Sequence, residues 1–314
     1  MSYTIENIAD LTGAKRVGDA SARIDWLLTD SRSLSFPETT LFFALTTKRN
    51  SGIHYVPELA DRGVRNFVVN KAEFAALQEE HPDWMATGNY NFLLVENPLK
   101  ALQRLAEKHR EQFDMPVIGI TGSNGKTIVK EWLHQLLSGR HRIVRSPRSY
   151  NSQIGVPLSV WQMSESDDLA LIEAGISEPG EMHALQNIIK PTIGILTGIG
   201  GAHQENFYSL QEKCMEKLTL FKDCDVVIYD GDNEFISNCV TRSMLPAREI
   251  AWSRTDRERP LFISKVEKGT ESTFISYRYL DMENSFTLPF IDDASIENSL
   301  NCLAACLYLM LPAE

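Results

Sequence analysis

Short apolar runs alternate with amphipathic stretches along most of the chain, and this alternation is typical of an α/β fold. In the first third, the spacing of apolar residues predicts buried strands at 41–45, 66–69 and 92–95 and helices at 4–12, 55–62 and 98 to about 113. The segment Asp114-Met115-Pro116 ends the last of these helices. We therefore expect a small N-terminal α/β domain at 1–113 and a second domain at 114–314.

The second domain has longer apolar runs, and the run at 169–173 is apolar enough for burial on both faces of a sheet. Further strands are predicted at 116–118, 142–144, 192–197 and 225–229, with helices at 128–137 and 207–221. This order indicates a mostly parallel, doubly wound sheet, in which ligands bind at the carboxyl ends of the strands. Short strands with turns at about 260–290 predict an antiparallel extension, and a final helix is expected at about 297–311.

Residues 119–127 read Gly-Ile-Thr-Gly-Ser-Asn-Gly-Lys-Thr between a predicted strand and a predicted helix, which is the setting of a phosphate-binding loop. Backbone N–H groups and the helix N-terminus then favour phosphate, Lys126 reaches the β- and γ-phosphates of ATP, and the Thr127 hydroxyl ligates Mg²⁺. The predicted nucleotide contacts are Gly122, Ser123, Asn124, Gly125, Lys126 and Thr127. The generic spacing fails by one, because Ile120 stands where a glycine is expected. A glycine-rich turn with a chance Gly-Lys-Thr is the alternative.

Other candidate residues follow predicted strands or lie in polar loops. Glu173 ends the most apolar strand, where a carboxylate can reach Mg²⁺ beside the phosphate loop; an ordinary polar strand end is the alternative. His203 follows a glycine-rich loop, which favours a metal or phosphate role over a structural one. The loop 150–157, which carries Asn151, is equally compatible with a turn and a helix cap. By periodicity alone Lys217 is an exposed lysine, and Asn298 is a cap or surface residue.

Charge and cysteine content narrow the functional classes. The net charge of −11 argues against nucleic acid as a partner, although a local loop can still hold phosphate. The longest apolar run is far shorter than about 18 residues, so no membrane span is expected, and residues 1–20 lack a signal-peptide core. The five cysteines are odd in number and form no Cys-x-x-Cys, which favours reduced thiols in a cytoplasmic protein.

Several separate loops, taken together and in order along the chain, resemble those of the Mur ligase family of ATP-dependent, amide-bond-forming enzymes. The matching segments are 121–127, 150–157, 173–175 with 179–182, 202–207 and 298–305. The phosphate loop follows the family's own glycine placement, which differs from the generic spacing. The sequence Pro-Gly-Glu-Met at 179–182 is similar to that of MurF-type members. The sequence Asp30-Ser31-Arg32 resembles the first-domain motif that contacts the UDP-sugar substrate.

This resemblance implies a specific reaction and specific residue roles. A MurF-type ligase joins D-Ala-D-Ala to UDP-MurNAc-tripeptide through an acyl phosphate made with ATP, in peptidoglycan precursor synthesis. The implied catalytic residues are Lys126, His203 and Lys217. Two Mg²⁺ ions are implied, held by Thr127, Glu173, His203 and a carbamylated Lys217. Asn298 becomes a nucleotide contact, and Ser31, Arg32 and Asn151 become substrate contacts.

Some positions depart from the family's pattern. Ile128, Thr219 and Glu297 replace residues common in the family. Members continue into a third, Rossmann-like domain, whereas this chain stops after the second domain's last helix, so we expect a truncated chain that is inactive alone. The sequence directly after the phosphate loop also resembles that of Mur ligases fused to an alanine racemase. The alternatives are another Mur ligase or a folylpolyglutamate synthase-like amide ligase, and a nucleotide-binding module without turnover.

Overall fold

The structure is a computed structural model and describes residues 2–47, 50–201 and 206–310, without the side chains of residues 85 and 86. The chain divides into two compact units, residues 1–112 and 113–314. Each unit has its own sheet and its own hydrophobic core. None of the helices described in these ranges is both long and apolar enough to cross a membrane.

Unit 1 contains seven strands and five α-helices within the described ranges. Its strands are β1 (Tyr3–Thr4), β2 (Lys15–Val17), β3 (Arg23–Ile24), β4 (Trp26–Leu28), β5 (Thr40–Phe43), β6 (Asn66–Asn70) and β7 (Asn91–Val95). Its helices are α1 (Ile5–Thr12), α2 (Val56–Asp61), α3 (Lys71–Glu80), α4 (Pro82–Thr87) and α5 (Pro98–Arg110). Short 3-10 turns lie at Ser31–Ser33, Pro37–Thr39 and Gly52–Tyr55.

Five strands of unit 1 form one sheet in the order β2-β7-β6-β5-β4, parallel except for β2. The rings of Phe67 and Phe92 stack at 5.4 Å between neighbouring strands and anchor the core. The segment Asp30-Ser31-Arg32 follows the carboxyl end of β4. The polar sequence at 71–87 predicted no element, yet it forms α3 and α4, because Phe74 and Leu77 supply enough apolar surface to attach the first of them to the sheet.

Unit 2 contains nine strands and six α-helices within the described ranges. Its strands are β8 (Val117–Thr121), β9 (Ile143–Arg145), β10 (Leu169–Glu173), β11 (Ile193–Leu196), β12 (Val226–Asp230), β13 (Arg248–Ser253), β14 (Leu261–Lys268), β15 (Thr273–Tyr279) and β16 (Met282–Leu288). Its helices are α6 (Lys126–Leu137), α7 (Gly155–Val160), α8 (Glu181–Ile189), α9 (Leu210–Leu218), α10 (Glu234–Ser243) and α11 (Asp293–Met310). A 3-10 turn at Thr219–Phe221 continues α9.

The nine strands of unit 2 form one sheet in the order β16-β15-β14-β13-β12-β11-β8-β10-β9. The strands from β9 to β14 are parallel, and β14, β15 and β16 are antiparallel. The chain starts at β8, returns beside it as β10 and then continues on the other side as β11, so the winding direction reverses at β8. This reversal brings the carboxyl ends of β8, β10 and β11 together, which is where such sheets bind ligands.

Helices cover both faces of this sheet. On one face, Ile118 and Ile120 pack with α6 and α11 in a single apolar cluster. On the other face, Gly194 leaves room for Phe221, because a Cβ on that glycine would lie 2.4 Å from the ring. The predicted mostly parallel, doubly wound sheet with an antiparallel extension is therefore confirmed.

Candidate active site at the phosphate loop

The loop from 122 to 125 joins β8 to α6 and owes its shape to two glycines. Gly122 has φ +150°, and a Cβ there would lie 1.9 Å from Thr197 Oγ1; Gly125 has φ +83°. The Ser123 N–H donates to the Gly198 carbonyl at 2.8 Å, which ties the loop to the end of β11. Ile120 is buried within β8, so the first glycine of the generic pattern is replaced by a strand residue.

Lys126 opens α6 and folds back over the loop. Its Nζ donates to the carbonyls of Gly122 at 2.9 Å and Ser123 at 3.4 Å. Burial lowers the pKa of this lysine, Lys213 lowers it further, and Glu173 opposes the change. The ammonium group is therefore held at the mouth of the loop, where it can bind a phosphate oxygen.

Thr127, Asn151 and Glu173 form what we call the acid side of the loop. The Thr127 hydroxyl lies 2.9 and 3.1 Å from the two Glu173 carboxylate oxygens. The Asn151 amide donates to Glu173 Oε1 at 2.6 Å. Glu173 ends β10 and is only 1% exposed. A hydroxyl and a carboxylate are the hard oxygen donors that Mg²⁺ prefers, so this pair fits such an ion.

Lys126, Lys213 and Lys217 form what we call the lysine side of the loop. All three line a small cavity of about 70 Å³, together with Gly122, Ser123, Gly175 and Ile176. Lys217 is 2% exposed, so its prediction as an exposed lysine is wrong. The face of α9 that carries it also carries the buried Lys213, Cys214 and Leu218, so this face is covered by the rest of the protein.

The lysine side also has an unusual electrostatic balance. Burial, together with the charges of Lys126 and Lys213, lowers the pKa of Lys217 from 10.5 to about 7. A lysine with this pKa is partly neutral near pH 7, and only the neutral amine can attack carbon dioxide to form a carbamate. The cavity thus provides chemical conditions compatible with the carbamate expected at Lys217.

Asn298 lies against the phosphate loop. It belongs to the second turn of α11 and is buried, so its prediction as a cap or surface residue from periodicity is wrong. A Cβ on Gly125 would lie 2.3 Å from Asn298 Oδ1. One turn later, Asn301 accepts a hydrogen bond from Trp252 Nε1 at 2.9 Å. These contacts put Asn298 at the helix end of the loop, as a nucleotide contact requires.

The remaining predicted site residues are His203, Ser31 and Arg32. His203 and its neighbours at 202–205 lie outside the described residues. Ser31 and Arg32 lie in unit 1, where Asp30 caps the turn and pairs with the Arg32 guanidinium at 2.6 Å. Within the described ranges, no group of three or more His, Cys, Asp or Glu residues is arranged to hold a metal. The predicted roles of these residues remain predictions.

The sequence analysis missed two buried lysines beside the loop. Lys130 is 0% exposed and lies on α6, and Lys213 is buried on α9. The Lys213 Nζ donates to the Gly200 carbonyl at 2.6 Å. The burial of Lys130 could have been predicted from helical spacing. This residue stands three residues before the buried Leu133 and therefore lies on the apolar face of α6.

Comparisons with known proteins agree with this geometry. Residues 120–306 match the Mur ligase middle domain. The chain is 28% identical over 319 residues to the UDP-N-acetylmuramoyl-tripeptide–D-alanyl-D-alanine ligase of Bacillus subtilis (strain 168), covering 99% of this chain and 65% of that ligase. It thus spans less than two thirds of that relative's length.

Two solved structures have the same fold. MurF from Acinetobacter baumannii superposes with a TM-score of 0.85 at 22% identity, covering 99% of this chain and 66% of that one. MurF ligase from Thermotoga maritima in complex with ADP gives a TM-score of 0.74 at 20% identity, covering 92% of this chain and 64% of that one. With the middle-domain match over more than half of its length, the chain belongs to the Mur ligase family.

Proposed function

We propose that this chain forms the substrate-binding and ATP-binding parts of a MurF-type ligase. The reaction joins D-Ala-D-Ala to UDP-MurNAc-tripeptide and consumes ATP. The observation that carries the proposal is the contact between Thr127 and the buried Glu173 beside a phosphate loop. The name of the Bacillus subtilis relative supports the choice of substrates, and the ADP in the Thermotoga maritima crystal supports a nucleotide at the loop.

The loop and its lysine would stabilise the transferring phosphoryl group. The peptide carboxylate of the UDP-MurNAc-tripeptide attacks the γ-phosphorus of ATP, ADP leaves, and an acyl phosphate forms. The amine of D-Ala-D-Ala then displaces phosphate and gives the amide. Lys126 and the N–H groups at the start of α6 supply positive charge to the phosphate oxygens, so their main contribution is electrostatics and positioning.

The acid side fits one Mg²⁺ ion, which Thr127 and Glu173 would hold. Bound there, the ion would neutralise charge on the β- and γ-phosphates. We assign a second ion to His203 and to a carbamate on Lys217. Carbamylation changes the Lys217 side chain from a cation into an anionic oxygen ligand, and so relieves the repulsion among the three lysines of the lysine side.

The UDP-sugar substrate is assigned to unit 1 and the peptide to the loop that carries Asn151. Ser31 and Arg32 follow the carboxyl end of β4, where a parallel sheet binds ligands. The guanidinium of Arg32 is largely exposed, and its N–H groups that do not donate to Asp30 can donate to an anionic or carbonyl group. The five cysteines are buried free thiols, which is consistent with action in the cytoplasm.

Release of ADP by the purified protein, assayed with ATP, UDP-MurNAc-tripeptide and D-Ala-D-Ala, tests the proposal. We expect ADP release that requires both UDP-MurNAc-tripeptide and D-Ala-D-Ala. A preference for another UDP-MurNAc peptide and amino acid would identify a different Mur ligase, and a preference for folate and glutamate would identify a folylpolyglutamate synthase. Tight ADP binding with no release under any combination would identify a binding module without turnover.

A further inference from the structure

Lys130 is a buried cation that the proposed reaction does not use. It lies one turn into α6, and its side chain is 0% exposed. Its Nζ donates to the carbonyls of Ser146, at 2.8 Å, and of Arg148. The same Nζ lies 3.2 Å from Glu131 Oε1 and 3.7 Å from Glu173 Oε2. A single ammonium group therefore joins the phosphate-loop helix to the 146–148 backbone and to the candidate metal-binding carboxylate.

The segment 146–151 follows β9 and crosses the carboxyl end of β10. Ser146 begins it, donating its N–H to the Leu171 carbonyl at 3.0 Å and accepting the Glu173 N–H on its hydroxyl at 3.1 Å. Arg148 has φ +48°, a conformation that residues other than glycine seldom adopt. The Lys130 contact to the Arg148 carbonyl lies at this strained residue, so the lysine stabilises a backbone shape that is locally unfavourable.

The far end of the same segment reaches the acid side. The Ser149 hydroxyl lies 3.3 Å from the Thr127 hydroxyl. The Asn151 amide bonds to Glu173, and the Asn151 carbonyl accepts the Gly175 N–H at 2.8 Å. Displacement of the segment would therefore move two of the groups that orient Thr127 and Glu173.

The positive charge of Lys130 also connects this residue to Glu173. The Glu173 carboxylate is buried, and an unpaired buried carboxylate is costly. The Lys130 ammonium partly compensates this charge from within the protein. It lies 3.7 Å from Oε2, the same carboxylate oxygen that lies 2.9 Å from the Thr127 hydroxyl.

We propose that Lys130 is a positioning residue for the Mg²⁺–nucleotide site. Its ammonium group fixes the segment 146–151 and the Glu173 carboxylate in the arrangement that accepts the ion. The inference rests on the proposed function for the identity of the ion. We call the contacts of Lys130 with the segment 146–151 and with Glu173 the clamp. These contacts lie within the protein, so the clamp can be tested separately.

The test uses Lys130→Met and Lys130→Arg, with the exposed Lys265→Met as the matched control. The first readout is hydrogen exchange of peptides covering 146–151, with 198–201 as an internal reference. Since the clamp acts locally, Lys130→Met should exchange about tenfold faster in 146–151 alone. The second readout is calorimetric ADP affinity with and without Mg²⁺. The Mg²⁺-dependent gain should fall about tenfold in Lys130→Met, while ADP binding in EDTA changes by less than about twofold.

Lys130→Arg keeps the charge, so both hydrogen exchange at 146–151 and the Mg²⁺-dependent gain in ADP affinity should change less than in Lys130→Met. The proposal is overturned if Lys130→Met leaves exchange at 146–151 unchanged, or if exchange rises equally across unit 2, which would indicate a general loss of stability. If Lys130→Met does not fold, the same criteria apply to Lys130→Gln. If the wild type shows no Mg²⁺-dependent gain, the proposed function fails, and the exchange measurement still decides whether the clamp exists.

Discussion

The acid side and the lysine side flank the same loop but differ in how their charges are matched. On the acid side, the Glu173 carboxylate already accepts hydrogen bonds from Thr127 and Asn151 and lies near a cation. On the lysine side, three lysines share a cavity of about 70 Å³ whose described lining contains no acidic side chain. The charge on the acid side is therefore matched by described partners, whereas the lysine side brings three lysine side chains together at one cavity.

This difference separates two functions of one loop. The acid side is built to present oxygen ligands in a fixed arrangement, which suits a metal ion that rests on the nucleotide. The lysine side presents ammonium groups, which suit phosphate oxygens, and an amine at Lys217 that can carry a carbamate. Variants on the two sides should therefore change different quantities.

The largest expected effect is on the lysine side, in Lys126→Met. Removing the ammonium group from the transferring phosphate should lower the rate of ADP formation about 10²–10³-fold, as loss of a transition-state donor does. The exposed Lys265→Met serves as the control and should keep wild-type turnover. Turnover within tenfold of the wild type in Lys126→Met would show that the loop lysine does not contact the transferred group.

The second largest effect is expected from Glu173→Gln, which alters the acid side alone. Glu173→Gln keeps the shape and one acceptor oxygen but removes the charge, so turnover should fall about 100-fold, in keeping with several kcal/mol of metal-dependent stabilisation. Fluorescence or calorimetric titration of ADP in EDTA should remain close to wild type, because the lysine side is intact. The exposed Glu178→Gln is the matched control. Equal losses of ADP affinity with and without Mg²⁺ would contradict the separation of the two sides.

A third variant tests the backbone between the sides. Gly122→Ala would place a Cβ 1.9 Å from Thr197 Oγ1 at φ +150°, so the loop must shift. We expect a loss of about 1–3 kcal/mol in the free energy of unfolding, measured by urea denaturation. Gly139→Ala, where a Cβ would meet no atom within 4 Å, should change stability little. Equal stabilities of the two variants would mean that the loop is not packed against β11.

The smallest effect concerns the pH dependence of stability. Burial lowers the pKa of Lys217 to about 7 in the folded protein, against 10.5 in the unfolded chain. Between these values the unfolded chain binds more protons, so the free energy of unfolding should rise with pH from about 7 upward in carbon dioxide-free buffer. Lys217→Met should flatten that rise, and the neighbouring exposed Lys222→Met should not. An unchanged slope in Lys217→Met would place the amine in a more solvated setting.

The acid side was predictable from the sequence, since its residues follow from chain order. Glu173 ends an apolar strand, and Thr127 follows the glycine-rich loop after another, so the carboxyl ends of adjacent parallel strands bring them together. Most parallel strands of unit 2 were predictable, because long apolar runs identify strands that are covered on both faces, but β13 was not predicted.

The lysine side was less predictable, because it depends on which helix faces are buried. Periodicity assigned Lys217 to solvent, yet α9 buries the face that carries Lys213 and Lys217. Only the family resemblance pointed to Lys217, and nothing in the sequence analysis pointed to Lys213 or Lys130. A lysine is seldom buried, so composition argues against such positions until tertiary packing supplies carbonyl and carboxylate partners.

The most direct measurement is calorimetric titration of the wild-type chain with ADP, with and without Mg²⁺. If the loop binds nucleotide phosphates and the acid side holds the ion, ADP should bind in EDTA, and Mg²⁺ should strengthen binding by about tenfold or more. Binding that is absent, or that is equally strong in Mg²⁺ and EDTA, would contradict the assignment of Thr127 and Glu173 to a metal–nucleotide site.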